Sequence, residues 1–352
     1  MATTFKTITA NDVTNTRTLL HEAIPLTGTI ASGTYADANI KKFSHGMFES
    51  VYDYPYLSSS ANHIFDLTFG YSSTSNYSGS ASIQNAKKIN IYNQMASVLV
   101  GHDSTGAIQR FDQDGNIAAG GEKMDEAFFV NFSRLLSKDE VKKGSFRFAI
   151  VTGGAPSAFA ANTVLTVGDY GASTSYLVNS PAGEYAVLYT SSATPNSNSG
   201  VGLLYYQAGV AVLSSSIFGG NLHGGVAGKT SLGPGIASGT LESLATGSSI
   251  DVLADSFRNR IQDIDFNNTV ELNSTIYFCR ANHSEFNYSA NPTYLSSSQI
   301  RVKNTTSDNP VSYITTVGLY SSDNELLAVA KLSEPLKKDP NTELTIRVRL
   351  DY

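Results

Sequence analysis

The chain has one cysteine and no tryptophan among its 352 residues. A single cysteine excludes an intrachain disulfide and any cysteine-cluster metal site. Cys279, set in Ile276-Tyr-Phe-Cys-Arg280, reads as a small buried strand residue. Without tryptophan, a glycosidase loses its usual sugar platform, although 19 tyrosines remain. Charge is also scarce: Asp, Glu, Lys and Arg make up 15% of the chain, against roughly 25% in an average domain. Net charge is −6, and no basic run exceeds Lys87-Lys88, Lys142-Lys143 or Lys337-Lys338. Nucleic-acid binding therefore lacks its electrostatic footprint. No stretch reaches the roughly eighteen apolar residues of a membrane span. Residues 1–9 lack the apolar core of a signal peptide, so the expectation is a protein made in the cytosol.

Ser, Thr, Asn and Gly fill the space left by charge. That mixture favours strands and turns over long solvated helices. It suits a surface buried in an assembled particle at little desolvation cost, and it equally suits a loop-rich β protein with no partner. The chain is long enough for one large domain or two to three ordinary ones.

The patterning predicts a mainly β protein with a few helices: a β-sandwich-like core carrying a Gly/Ser/Thr-rich β insertion. Residues 1–40 read as an N-terminal arm, with a short helix from Asn11 to His21. Residues 63–71 place apolar side chains at 65, 67, 69 and 71, which is a strand period. Residues 84–100 fit a helix with Ile89, Tyr92, Ala96 and Leu99 on one face. Residues 128–132 read as strand, 134–141 as helix and 145–151 as strand. Composition shifts near residue 152, and 153–247 is dominated by small and polar residues punctuated by short strands. This places an inserted β domain at 153–247 within a discontinuous core of 41–152 and 248–352. Residues 249–261 read as a helix capped by Ser248 or Ser249. The tail holds three β-rich runs, at 310–320, 325–331 and 343–352. The last is expected to lock the preceding hairpin into its sheet.

The candidate chemical motifs are incomplete. Asp112-Gln-Asp114-Gly-Asn116 matches the first, third and fifth positions of a calcium loop. The sixth position, which should be Gly, is Ile117, and the twelfth, which should be Glu, is Lys123. A turn explains these residues without metal. Gly224-Gly-Val-Ala-Gly228-Lys229-Thr230 resembles a phosphate loop but has His223 where its first glycine belongs. The six histidines are scattered, with no metal-ligand spacing. No Gly-x-Ser-x-Gly elbow is present. Asp263 with Asp265, and Asp339 with Glu343, are acid pairs of the kind solvated near turns. No catalytic residue, metal ligand or cofactor is assigned. The candidate interface anchors are Phe48, Tyr52, Tyr54 and Tyr56 in an aromatic, charge-poor stretch. Arg258 and Arg260 are candidate subunit contacts at a helix-to-strand junction.

Four stretches carry a resemblance: Ser44-His-Gly-Met-Phe-Glu-Ser-Val-Tyr-Asp-Tyr-Pro-Tyr-Leu57, Asn85-Ala-Lys-Lys-Ile-Asn-Ile-Tyr-Asn-Gln-Met95, Asn287-Tyr-Ser-Ala-Asn-Pro-Thr-Tyr-Leu295 and residues 314–352. Together they resemble a virion structural protein of marine tailed phages, of the group of contractile-tailed cyanophages. The resemblance covers most of 1–150 and 250–352 and leaves 153–247 unmatched. Val317-Gly-Leu-Tyr-Ser-Ser-Asp-Asn-Glu-Leu-Leu-Ala-Val-Ala330 is similar to a hairpin of phage tail-fibre attachment domains, which adds Leu319 and Tyr320 to the interface candidates. The resemblance implies a tail or baseplate subunit of the virion, with no catalytic activity and no cofactor. Its implied partners are other virion proteins and further copies of itself, with neither nucleic acid nor membrane. Capsid decoration, a neck or fibre component, and a receptor-binding or glycan-degrading tail protein are the alternatives.

Overall fold

The computed structural model describes residues 5–25, 37–79, 82–117, 123–151, 164–190, 200–218, 245–287, 295–296, 299–300 and 310–352. Strands β1 (Val13–Pro25), β2 (Ile40–Lys42), β3 (Glu49–Tyr52) and β4 (His63–Tyr71) precede helix α1 (Ile83–Leu99). Strands β5 (Glu126–Phe132), β6 (Glu140–Val141), β7 (Arg147–Val151) and β8 (Val164–Gly168) follow. Next come β9 (Leu177–Ser180), β10 (Gly183–Leu188), β11 (Gly202–Tyr205) and β12 (Val210–Ser214). Helix α2 (Ile250–Arg258) leads into β13 (Ile261–Ala281), a strand of 21 residues. Strands β14 (Leu295–Ser296), β15 (Gln299–Ile300), β16 (Ser312–Tyr320), β17 (Leu326–Lys338) and β18 (Leu344–Asp351) close the order. The protein is mainly β and sandwich-like, with few helices.

The chain divides into two units, one of Leu20–Val270 and one of Met1–Leu19 with Glu271–Tyr352. The first is built on an eight-stranded antiparallel sheet in the order β2-β3-β4-β5-β12-β11-β10-β9. Alternation along each strand feeds two separate apolar layers. Phe128, Val130 and Phe132 of β5, with Ala211 and Leu213 of β12, face one layer. Ala127 and Phe129, with Val210 and Val212, face the other. The first layer is closed by Phe146 and Phe148 at β7, Ile264 and Phe266 of β13, and Leu253 and Phe257 of α2. Phe128 stacks on Phe257 at 4.5 Å and meets Phe69 at 4.8 Å between ring centroids. Truncating such a ring to alanine costs about 3–5 kcal/mol.

Helix α1 closes the second layer. Ser82 caps it, accepting the Asn85 N–H at 3.1 Å. Gly101, at φ 92°, ends it by donating its N–H to Ala96 O. Its buried face holds Ile91, Tyr92, Ala96 and Leu99, and also Asn85 and Lys88. The helix crosses β4 at Gly70. A Cβ there would lie 2.8 Å from both Lys88 O and Tyr92 N. Glycine is what permits this approach of backbone to backbone.

Several sequence expectations change. The helix placed at 11–21 is a 3-10 turn, Ala10–Asp12, followed by β1. Thr14, Thr16 and Thr18 lie in that strand, which pairs with β13, and β-branched residues favour this conformation. Residues 134–141 form one helical turn, Arg134–Ser137, and then β6. Helix α2 stops at Arg258, and Ile261 already belongs to β13. The division at 152 and 248 gives way to one at 19/20 and 270/271. The strands of 164–214 complete shared sheets: β8 pairs with β7, and β12 pairs along β5 from Asn131–Val210 to Ala127–Ser214.

In the second unit, the later part of β13 pairs with β18 from Ser274–Asp351 to Ala281–Leu344. Leu344, Ile346, Val348 and Leu350 are buried or half-buried, whereas Thr345, Arg347, Arg349 and Asp351 are exposed. Asp12 pairs with Arg280 at 2.9 Å. β14 pairs with β15, and β16 pairs with β17, each as a two-stranded sheet. The closing strand β18 therefore bonds to β13 and not to the hairpin. No described helix is long and apolar enough to cross a membrane.

Candidate functional site

Two exposed apolar surfaces and one buried charge cluster hold the residues singled out in the sequence. The first surface lies beside β2 and β3. Phe43 stacks on His45 with centroids 5.1 Å apart and meets Phe48 at 4.7 Å. The Lys41 ammonium lies 4.9 Å from the Phe43 ring centre, within cation–π range. Beyond them, Tyr52 contacts Tyr56 at 6.4 Å and His63 at 5.5 Å. Asn62 fixes the loop between β3 and β4, bonding both carboxylate oxygens of Asp53 at 2.6 and 2.8 Å. Tyr54 is 58% exposed, and Tyr56 and Leu57 are exposed with it. Of the four predicted anchors, Tyr54 and Tyr56 stand in solvent, while Phe48 and Tyr52 are half-buried under neighbouring rings.

The second surface is the β16–β17 hairpin. Val317 pairs with Ala330 and Leu319 with Ala328 on its inner side, where Leu319 is buried. The outer side carries Tyr320, Leu326 and Val329, each about half exposed at 45%, 52% and 51%. Phe5 packs on Tyr320 with centroids 4.6 Å apart. Tyr320 and Leu326 both lie over Gly318, 2.9 and 3.2 Å from where a Cβ would sit. Of the two interface candidates on this hairpin, Tyr320 stands on the surface and Leu319 is buried. Phe5, Leu326 and Val329 were missed: Phe5 comes from the other end of the chain, and the register shift between Leu319 and Tyr320 breaks the alternation that would relate Leu326 to Val329.

Arg258 and Arg260 are a correction. Both are buried, so neither presents a guanidinium to a partner. Arg258 reaches back three residues to Asp255 at 2.9 Å and lies 3.4 Å from Glu49. Asp255 also pairs with Lys42 of β2. Arg260 is held in the interior, where desolvation lowers its pKa to about 10. Arginine is favoured at interfaces, but here the last turn of α2 and the junction into β13 bury both side chains.

Glu49 is the unexpected member of this cluster. It is fully buried, and neither carboxyl oxygen receives a hydrogen bond from a nitrogen or hydroxyl donor. Desolvation first, and then the charge of Asp255, push its pKa up to about 8. Arg258 and Lys42 pull the other way, but the loss of hydration on burial outweighs their attraction. Glu49 is therefore protonated at neutral pH, facing Asp255. Lys88 is a second buried charge. Its ammonium donates to the carbonyls of Ala245 and Ser248, the latter at 2.6 Å. Desolvation lowers its pKa to about 8.

The calcium-like loop proves to be a lysine-filled turn. Asp114 N–H donates to Asp112 Oδ1 at 3.2 Å, and Asn116 donates to Asp114. Ile117 adopts φ 53°, the left-handed conformation a calcium loop reserves for glycine. The Lys123 ammonium pairs with Asp112 and donates to Ile117 O at 3.0 Å. A cation of the chain's own thus occupies the position between first-position carboxylate and turn. Asp339, one of the paired acids, caps a turn by accepting from Thr342 and Asn341. The phosphate-loop resemblance at 224–230 lies outside the described residues. Among the described residues, no group of three or more His, Cys, Asp or Glu side chains is set to hold a metal. Comparison with family models, curated proteins and solved structures returned no match.

Proposed function

We propose that this chain is a structural subunit of a phage virion, in the tail or baseplate, that works by docking to neighbouring virion proteins and to its own copies. The observation that carries this reading is the outer face of the β16–β17 hairpin. A two-stranded sheet standing alone is marginal in water, yet this one leaves Tyr320, Leu326, Leu327 and Val329 exposed on its surface. A rim of charge around such a patch is the usual make-up of a protein contact. Tyr54, Tyr56 and Leu57 form a second exposed cluster on the other unit. The resemblance of residues 44–57, 85–95 and 314–352 to cyanophage virion proteins, and of 317–330 to a fibre-attachment hairpin, favours tail or baseplate over capsid decoration, neck or fibre. The reading assigns the protein no catalytic residue and no cofactor.

The test is incorporation. Peptides of this chain are expected in purified particles at a fixed ratio to the other tail proteins. A Val329→Asp variant that keeps its strand circular-dichroism spectrum is expected to be depleted from them. Absence of the wild-type chain from purified particles, or loss of a polysaccharide capsule on incubation with the pure protein, would overturn the assignment.

A further inference from the structure

The unit that holds β16, β17 and β18 has little core of its own. Among its described residues, the buried apolar side chains are Ala281, Leu319 and Val348. So small a core usually needs a staple. Two polar side chains of the same unit are buried as well, Lys338 at 0% exposure and Asn287 at 9%, and they meet. Lys338 ends β17 opposite Ser312, whose hydroxyl donates to Phe286 O. The Lys338 ammonium donates to Asn287 Oδ1 at 2.6 Å, to Asp339 O at 2.9 Å and to His283 O at 3.2 Å. These three acceptors are neutral oxygens, and a buried cation so held is costly. Asn287 Nδ2 donates to His283 O at 2.8 Å, so its amide is oriented from both ends. With a carbonyl bond of about 1.2 Å, the Lys338 nitrogen lies within about 3.8 Å of Asn287 Cγ. A small turn of the asparagine side chain brings the two atoms to attack distance.

We propose that Lys338 and Asn287 join in an intramolecular isopeptide bond, a modification site that staples this unit. The Nζ–Cγ bond forms and the Cγ–Nδ2 bond breaks. The lysine ammonium gives up two protons, and the leaving nitrogen takes up two and departs as an ammonium ion. Atoms and charge therefore balance with no oxidant and no further reactant. Glu285 stands in the same turn, tied to Lys6 and to the Asn282 N–H, and the charge of Lys338 acts on its carboxylate. It is the group that passes protons from Nζ to the leaving nitrogen. The product removes a buried charge and replaces it with a neutral amide. The bond spans 51 positions of sequence. It fastens the open end of the β16–β17 hairpin to the turn that follows β13. A two-stranded sheet is marginal by itself, and closing a long loop covalently is an effective way to hold it. A chain with one cysteine cannot do this with an intrachain disulfide.

Intact-mass spectrometry of the purified full chain tests the proposal. Folded wild type is expected to be lighter than its sequence by one ammonia. Tryptic digestion is expected to release a branched fragment joining the Asn287 peptide to the Lys338 peptide. That fragment separates the bond from a succinimide, which loses the same mass but links no peptides. Lys338→Arg and Asn287→Ala are each expected to keep the full mass. Glu285→Gln is expected to slow the loss about tenfold or more in a time course after refolding. Wild type held in urea keeps its full mass, because the fold must bring the two side chains together. Native wild type that retains its full mass after long incubation overturns the proposal without needing any variant to fold. An ammonia loss that persists in Lys338→Arg, or one that yields no branched fragment, overturns it equally.

Discussion

Glu49→Gln is expected to stabilise this protein at alkaline pH and to leave it nearly unchanged in mild acid. Glu49 sits at the start of β3 with no exposed surface, facing Asp255 and 3.4 Å from Arg258. Its pKa rises from 4.5 to about 8, chiefly through desolvation and then through Asp255. The folded protein therefore holds this proton more tightly than the unfolded chain does. Below pH 4.5 both states are protonated, and the contribution is fully present. Between pH 4.5 and about 8 the unfolded chain releases the proton while the native one keeps it, so stability falls. Above about pH 8 the loss is complete. At about 1.4 kcal/mol per pH unit over that interval, the ceiling is about 5 kcal/mol. Relaxation of Lys42, whose side chain is 44% exposed, brings the expected span to about 2–4 kcal/mol. Glutamine keeps the shape and can donate to Asp255 as the protonated acid does, but it does not titrate. Urea unfolding of both proteins at pH 5, 7 and 9 measures the effect. The difference between them cancels Lys88, Asp112 and every other group they share. A variant less stable than wild type at pH 9 would refute the reasoning, because it would mean that Glu49 is ionised and pays its way through Arg258.

Two further perturbations follow from close contacts. Gly70→Ala forces a methyl group to 2.8 Å from backbone atoms of α1, and a loss of about 1–3 kcal/mol is expected from overpacking. An unchanged urea midpoint would mean that α1 rides freely over β4. Lys123→Met leaves the buried Asp112 carboxylate without its cation, for a loss of about 3 kcal/mol at pH 7. The loss shrinks in acid, because burial already raises the Asp112 pKa and it takes up a proton readily. Equal destabilisation at pH 4 and pH 7, measured by chemical denaturation, would argue against an electrostatic origin.

Local patterns were legible where one element meets one environment. The alternation of 65, 67, 69 and 71 is β4, and the stripe through Tyr92, Ala96 and Leu99 is the buried side of α1. The aromatic stretch with Tyr54 and Tyr56 is exposed, and Tyr320 stands on the surface. Patterns failed where two environments overlap. β10, β11 and β12 are apolar on both sides because each face of their sheet is covered. Their continuous apolar runs do not say which strand they join, and β12 joins β5 about eighty residues earlier. Asn85 and Lys88 spoil the apparent face of α1, although both are buried; the Lys88 ammonium is satisfied by the distant carbonyls of Ala245 and Ser248.

The sequence by itself determined the β-rich class, a helix near 84–100 and the terminal hairpin, since these depend on composition and on spacing within a few residues. Tertiary structure alone decided that β1 is a strand, that 164–214 shares its sheets with β5 and β7, and that Arg258 is locked in a buried cluster with Glu49 and Asp255. The physical reason is the same in each case. Hydrogen-bond register and desolvation are set by groups far apart in the chain, and neither leaves a local trace until the fold brings those groups together.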